Sequence, residues 1–197
     1  TVERTGDNQN EANGGAVFVG WNSSDPNQYA LFDGCTFKNN VAKGKWGARG
    51  GAFRTHEAQV IITNSLFYGN MTFANSDGTN DHSSNGGAVN ISGPSYYSSS
   101  QQLWIGSQVQ IINSTFANNL TKSGNTSSTR LSGSGLYLDS WGRSEKIWFF
   151  NNIVWGNKTS SGGSWQQVYF SNETGWGSTY LNYNVVQSSE DISSFQD

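Results

Sequence analysis

Apolar and polar residues alternate along short stretches of this chain and do not recur at helical spacing. Val60, Ile61 and Ile62 run into Thr63 and Asn64, and Val109, Gln110, Ile111 and Ile112 follow the same pattern, as do Ile147, Trp148, Phe149 and Phe150. Short period-two stretches bounded by Gly, Asn and Ser predict β-strands with one face in a core. No apolar run approaches the ~20 residues that cross a membrane as a helix.

These stretches belong to a repeat. Gly14-Gly15-Ala16-Val17-Phe18-Val19 returns as Gly50-Gly51-Ala52-Phe53-Arg54-Thr55 and as Gly86-Gly87-Ala88-Val89-Asn90-Ile91. A looser copy is Gly133-Ser134-Gly135-Leu136-Tyr137-Leu138, and the successive offsets are 36, 36 and 47 residues. A second motif lies between the copies: Cys35-Thr36-Phe37-Lys38-Asn39-Asn40, Ser65-Leu66-Phe67-Tyr68-Gly69-Asn70 and Ser114-Thr115-Phe116-Ala117-Asn118-Asn119. Its degenerate fourth copy is Asn152-Ile153-Val154-Trp155-Gly156-Asn157. The two motifs strictly alternate.

Each part of the repeat has a physical reading. Paired Gly permits a tight path where one coil closes and the next strand begins. Ala after the pair suits a cramped inward position. Phe plugs the core, and an Asn two or three residues later suits a turn, because Asn tolerates the left-handed region. Stacked in register, Phe37, Phe67, Phe116 and Val154 form an inner apolar column. Asn40, Asn70, Asn119 and Asn157 form a ladder of side-chain amides. The expected fold is all-β, a right-handed parallel β-helix: one solenoid whose coils touch mainly their neighbours. About five rungs ~4.8 Å apart make it roughly 24 Å long.

Composition narrows the class. Gly, Ser, Asn and Thr make 90 of 197 residues, which is turn composition and excludes a helical bundle. Aromatics at 14% exclude a disordered chain, and a single Cys excludes a disulfide scaffold. A net charge of −3 argues against nucleic acid and against anionic membrane surfaces as partners. Residues 1–12 are polar and read as the end of a preceding coil or a tail. Residues 1–197 read as one β-helix segment of a longer secreted protein, with no initiating Met and no signal-like segment. Polar insertions are expected at 20–29, 71–85, 92–102, 120–132 and 158–166. In a solenoid such insertions gather on one face, often the binding face.

The alternation of GGA[VIF] with FxxN resembles the repeats of polymorphic outer membrane proteins and of similar secreted bacterial right-handed parallel β-helix proteins. Near the C-terminus, Phe150-Asn151-Asn152-Ile153-Val154-Trp155-Gly156-Asn157, Gln167-Val168-Tyr169-Phe170 and Leu181-Asn182-Tyr183-Asn184-Val185-Val186-Gln187 resemble closing coils of large secreted β-helix proteins. The resemblance covers about residues 13–190. It implies export, surface display and adhesion, and it supplies no catalytic motif. Ser134 in place of Gly and Val154 in place of Phe depart from the pattern.

Candidate chemistry is sparse. The 14 acidic residues are scattered, and no pair sits at i and i+2 of one strand, where both would face the same side. Asp77, Asp81 and His82 share a loop, read as solvated with a metal or acid/base role as the alternative. Arg54 and His56 share a strand face beside Glu57, read as an exposed strand end, with a base beside an anion-binding Arg as the alternative. Cys35 occupies the position of Ser65 and Ser114 and reads as a small core or turn residue. No catalytic residue, metal or cofactor is expected. The eight Trp fall mostly in or beside loops. Trp21, Trp46, Trp141 and Trp176, with Tyr96 and Tyr97, are candidate ligand or interface aromatics. Of eight Asn-x-Ser/Thr sequons, Asn22, Asn125 and Asn172 are the candidate glycan sites, because Asn70, Asn119 and Asn157 hold repeat positions.

The leading functional expectation is an extracellular or cell-surface structural or adhesive β-solenoid module, with a fibre or a larger adhesin as the assembly it would belong to. A carbohydrate-binding or polysaccharide-cleaving β-helix protein is the alternative. Expected partners are further coils, a domain or a subunit stacked at the solenoid ends, with carbohydrate as the other candidate and no membrane insertion.

Overall fold

The computed structural model describes residues 2–3, 11–20, 29–75, 82–92, 96–98, 103–105, 108–124, 129–139, 146–160, 167–171 and 178–187. Every regular element among them is a strand, and five parallel sheets run along the molecule. The first holds Val2–Glu3, Val41–Gly44, Met71–Ala74, Leu120–Ser123 and Lys158–Thr159. The second holds Glu11–Asn13, Gly47–Arg49, His82–Asn85 and Thr129–Ser132. The third holds Val17–Gly20, Phe53–His56, Val89–Ile91, Leu136–Asp139 and Val168–Ser171. The fourth holds Ala30–Asp33, Gln59–Thr63, Gln108–Ile112, Lys146–Phe150 and Ser178–Asn182. The fifth holds Thr36–Lys38, Leu66–Tyr68, Thr115–Ala117, Ile153–Trp155 and Val185–Val186. The chain visits the sheets in that order and then climbs one rung, so the fold is a parallel β-helix. Tyr96–Ser98 and Leu103–Ile105 form an antiparallel hairpin inserted between the third and fourth sheets.

The core lies between the third, fourth and fifth sheets. Strand alternation puts Val60 and Ile62, Val109 and Ile111, and Ile147 and Phe149 inside. The expected column is present. The rings of Phe37 and Phe67 stack at 4.5 Å and those of Phe67 and Phe116 at 4.8 Å, and Val154 pairs in register above Phe116. All four side chains belong to one apolar cluster.

The first and second sheets enclose a separate, narrower lobe. Its inward positions are Ala12, Ala42, Ala48, Thr72, Ala74, Ser84 and Thr121, all fully buried. The Ser84 hydroxyl donates to Thr72 Oγ1 at 2.8 Å across it. Only small side chains fit between walls this close, so these strands lack a hydrophobic alternation. This corrects the expected insertions. Met71–Ala74 and His82–Asn85 inside 71–85 are coil strands, as are Leu120–Ser123 and Thr129–Ser132 inside 120–132 and Lys158–Thr159 at the start of 158–166.

The corners explain the Asn spacing. Asn39, Gly69, Asn118 and Gly156 take positive φ, and each is followed by a ladder residue that does not. The left-handed role therefore belongs to the residue two after Phe, and the ladder role to the residue three after it. Asn40 Nδ2 donates to Asn70 Oδ1 at 3.0 Å, Asn70 Nδ2 to Asn119 Oδ1 at 3.0 Å, and Asn119 Nδ2 to Asn157 Oδ1 at 2.8 Å. Each Oδ1 also accepts the backbone N–H of the Asn one coil below. Gln167 ends the ladder by accepting from Asn157 Nδ2 at 2.8 Å. A second ladder, not anticipated, runs along the corner between the fourth and fifth sheets. There the backbone N–H groups of Cys35, Ser65, Ser114 and Asn152 donate to side-chain oxygens of Ser65, Ser114, Asn152 and Asn184 in the next coil. Cys35 is thus a turn residue at the foot of that ladder.

The Gly pairs divide their labour. Gly50 has φ +65°, whereas Gly51 has ordinary φ but no room: an added Cβ would lie 2.0 Å from Gly87 O and 2.6 Å from Met71 N. The coil is pinched there, with opposite walls in backbone contact. Gly51→Ala is expected to destabilise by about 3 kcal/mol, because two coils must shift their backbones. Gly34→Ala, with φ +61° but nothing within 4 Å of the new Cβ, should cost only about 1 kcal/mol. Urea unfolding of the two variants tests the pinch; equal losses would refute it.

Candidate functional site: the concave corner between the second and third sheets

A pinch inside the coil is a concavity outside it. Outward side chains of the second and third sheets therefore converge across the Gly-Gly corner. On the second sheet the row next to the corner is Asn13, Arg49, Asn85 and Ser132, aligned by strand register. On the third sheet the facing row is Phe18, Arg54, Asn90, Tyr137 and Tyr169. The two rows meet, since Arg54 donates a guanidinium N–H to Asn13 Oδ1 of the coil below.

Convergence buries groups that strand alternation points away from the core. Arg54 is flanked by inward Phe53 and Thr55, yet it is only 5% exposed, and Asn90 is fully buried. This corrects the expected exposed strand end at Arg54. Burial, with repulsion from Arg49 and partly opposed by Glu11, lowers the Arg54 pKa to about 10, so it remains a cation at neutral pH. Glu11 pairs with Arg49 at 2.9 Å on the more open side of the corner, where both side chains are partly exposed. The Arg54 guanidinium carbon lies 5.8 Å from the Phe18 ring centre.

Three polar atoms of the corner are buried without a hydrogen-bond partner among the described residues: Arg54 Nε, Asn90 Nδ2 and Asn85 Oδ1. The Ser92 hydroxyl donates to Asn90 Oδ1 at 2.9 Å, so the amide nitrogen is the unpartnered end of that side chain. His56 Nδ1 lies 3.1 Å from Ser92 O and its Nε2 3.7 Å from Glu57 Oε1, so His56 sits at the end of the same face. Farther along the row the Tyr137 and Tyr169 rings stack at 4.9 Å.

Chain length varies at only two of the five corners. The connections between fourth and fifth, fifth and first, and second and third sheets stay at two or three residues in the described coils. The longer connections, including 75–81 and 92–95, fall in chain order between the first and second sheets and after the third sheet.

The structure sorts the sequence-derived candidates. Phe37, Phe67 and Phe116, with Asn40, Asn70, Asn119 and Asn157, are ladder and column residues. Asn70, Asn90, Asn119 and Asn157 are buried, so those four sequons are closed to modification in the folded chain. Trp46 is 41% exposed beside the narrow lobe. Trp104, Trp148 and Trp155 lie on strands and not in loops, and the Trp148 ring stacks on Tyr180 at 5.7 Å. Tyr96 and Tyr97 lie on the inserted hairpin, where Tyr97 pairs with Trp104. Trp21, Asn22, Asp77, Asp81, Asn125, Trp141, Asn172 and Trp176 lie outside the described residues. Among the described residues no group of three or more His, Cys, Asp or Glu could hold a metal, and no helix is long and apolar enough to cross a membrane. Sequence reading found Arg54 and His56 but missed Asn13, Arg49 and Asn85; the available signal was the polar residue preceding each Gly pair. No protein-family model, curated protein or solved structure matches this chain.

Proposed function

We propose that this chain is a segment of an extracellular or cell-surface β-solenoid that serves as a rigid adhesive display module, as its likeness to polymorphic outer membrane protein repeats implies. The observation that carries this reading is the confinement of length variation to two of the five corners. A scaffold held by continuous amide ladders keeps three corners constant, the concave one among them, and varies in length at the other two. Its partners along the axis are further coils, another domain or a stacked subunit, because edge strands offer unpaired N–H and C=O groups. The second reading, a carbohydrate-binding or carbohydrate-cleaving protein, is favoured by the corner itself, where aromatic rings, amides and a buried cation stand in one row.

The test is to display residues 1–197 on a non-adherent cell and score attachment to immobilised glycans and extracellular-matrix proteins. Specific attachment, without turnover of acidic or neutral polysaccharides in solution, supports adhesion. Reproducible polysaccharide cleavage that disappears on changing Arg54 or His56 would replace it with the enzymatic reading.

A further inference from the structure

The middle rung of the fifth sheet is lower than the rungs on either side of it. Thr115–Ala117 lies between Leu66–Tyr68 and Ile153–Trp155. Register stacks the outward side chains in two columns, Leu66, Thr115 and Ile153 in one and Tyr68, Ala117 and Trp155 in the other. Each column reads large, small, large. Leu66 and Tyr68 are 37% and 39% exposed and Ile153 and Trp155 46% and 53%, whereas Thr115 and Ala117 between them are half-buried. The sheet therefore carries a groove along its middle strand, with walls two rungs, or about 9.6 Å, apart.

The ring faces lining this groove are open. Elsewhere outward rings on consecutive rungs cover each other, as Tyr137 covers Tyr169 at 4.9 Å and Trp148 covers Tyr180 at 5.7 Å. Ala117 separates Tyr68 from Trp155. Lys38 Nζ lies over the Tyr68 ring from the rung below, 5.8 Å from its centre, so the opposite ring face is turned to the groove. Asn113 and Asn118 stand at the two ends of the floor, both exposed and both at positive φ. Asn118 Oδ1 lies over Gly156, where an added Cβ would meet it at 2.6 Å, so this amide stands beside the Trp155 wall. Floor, walls and ends carry no charged side chain.

We propose that this groove binds a neutral saccharide, with a pyranose ring set edge-on between the two walls. Its apolar faces pack against Leu66 and Tyr68 on one side and Ile153 and Trp155 on the other. Its rim hydroxyls reach Asn113, Asn118 and Thr115. Carbon contacts of 3.5–4.0 Å on each face need walls about 7–8 Å apart, so the side chains close on the ring by leaning inward slightly. Charge complementarity selects an uncharged ligand, because an anionic one would lose hydration and find no cation in the groove. An extended peptide fits poorly: the backbone of the middle strand is already paired with both neighbours and offers a peptide main chain no partners. The three-residue floor, about 10 Å long, accommodates two linked rings. The proposal stands on this groove and not on the display role, so failure of cell attachment would leave it standing, and attachment without occupancy of the groove would leave only the display role.

The experiment is a titration of the full isotope-labelled chain, read by NMR at the Trp155 indole N–H and the Asn113 and Asn118 side-chain amides. Probes are cellobiose, chitobiose, lactose, glucuronate and an uncharged Val/Asn peptide. The expected result is a saturable shift at these three positions with at least one neutral disaccharide, unchanged at high salt, and at least tenfold weaker binding of glucuronate. Ala117→Leu, which fills the floor from an outward position, should abolish binding, and Ala117→Ser should preserve it. Trp155→Ala should weaken binding at least tenfold. No saturable shift with any of the disaccharides, shifts that survive Ala117→Leu, or tighter binding of the peptide would overturn the proposal. So would shifts that grow with protein concentration alone, which would assign the groove to a second copy of the chain.

Discussion

Asn119→Ala is expected to be the most damaging single truncation in the described structure, at about 4–6 kcal/mol. The side chain is 1% exposed and uses all of its hydrogen-bonding capacity. Its Oδ1 accepts from Asn70 N at 2.9 Å and from Asn70 Nδ2 at 3.0 Å. Its Nδ2 donates to Phe67 O at 3.0 Å and to Asn157 Oδ1 at 2.8 Å. Truncation therefore removes a hydrogen bond from four groups in the two neighbouring coils, of which Asn70 Nδ2 keeps Phe37 O and Asn157 Oδ1 keeps Asn119 N, and each buried group left unsatisfied costs about 1–3 kcal/mol. Some of that loss is recovered if water enters, which keeps the expected figure toward the lower part of the sum. Asn119→Asp provides the control. It retains the shape and the acceptors but loses both donors and buries a charge, so it should be as destabilising at neutral pH and partly rescued in acid. Asn118→Gly, at the neighbouring left-handed position where two other copies already carry Gly, should be close to neutral. Chemical unfolding of the three variants is the measurement, and an Asn119→Ala loss below that of Asn118→Gly would refute the ladder's role.

Phe67→Ala should cost about 3–5 kcal/mol, as large-to-small changes at fully buried aromatics do. The ring is fully buried and sandwiched, with Phe37 on one side at 4.5 Å and Phe116 on the other at 4.8 Å. Among the described residues no other ring of the column has a stacked neighbour on both faces. Removing it opens a cavity that the rigid ladders at either end of its strand prevent from collapsing. For a chain of this size the loss corresponds to a melting temperature lower by about 10–15 °C. Because coils interact mainly with their neighbours, hydrogen exchange should accelerate most in the strands around Phe37, Phe67 and Phe116 and least near Val185. Uniform acceleration along the whole solenoid would show that the coils are not locally coupled. Phe67→Leu, which retains most of the volume, should lose less than about 1.5 kcal/mol.

The parts of the fold that were legible share one property: their side chains are distinctive in type. The column residue is aromatic in three copies, the ladder residue is Asn in four, and the Gly pair marks three of the closing corners. The second ladder escaped notice because its positions change from Cys through Ser to Asn along the axis, and only the acceptor oxygens of Ser65, Ser114, Asn152 and Asn184 unite its rungs. The strands of the narrow lobe escaped notice because Thr72, Ala74, Ser84 and Thr121 carry no hydrophobic period. A burial signal written in small polar residues looks like loop composition.

By itself the sequence determined the repeat, the parallel stacking and the inner apolar column, since register follows from aligning like residues one coil apart. Only the tertiary structure decided that the coil is pinched, because Gly51 and Met71 lie far apart in the chain and meet only when the coil closes. The pinch in turn converts two outward strand faces into the walls of one concave corner. Alternation assigns Arg54 and Asn90 to the surface, but their burial depends on the angle between two sheets, and no local pattern of residues encodes that angle.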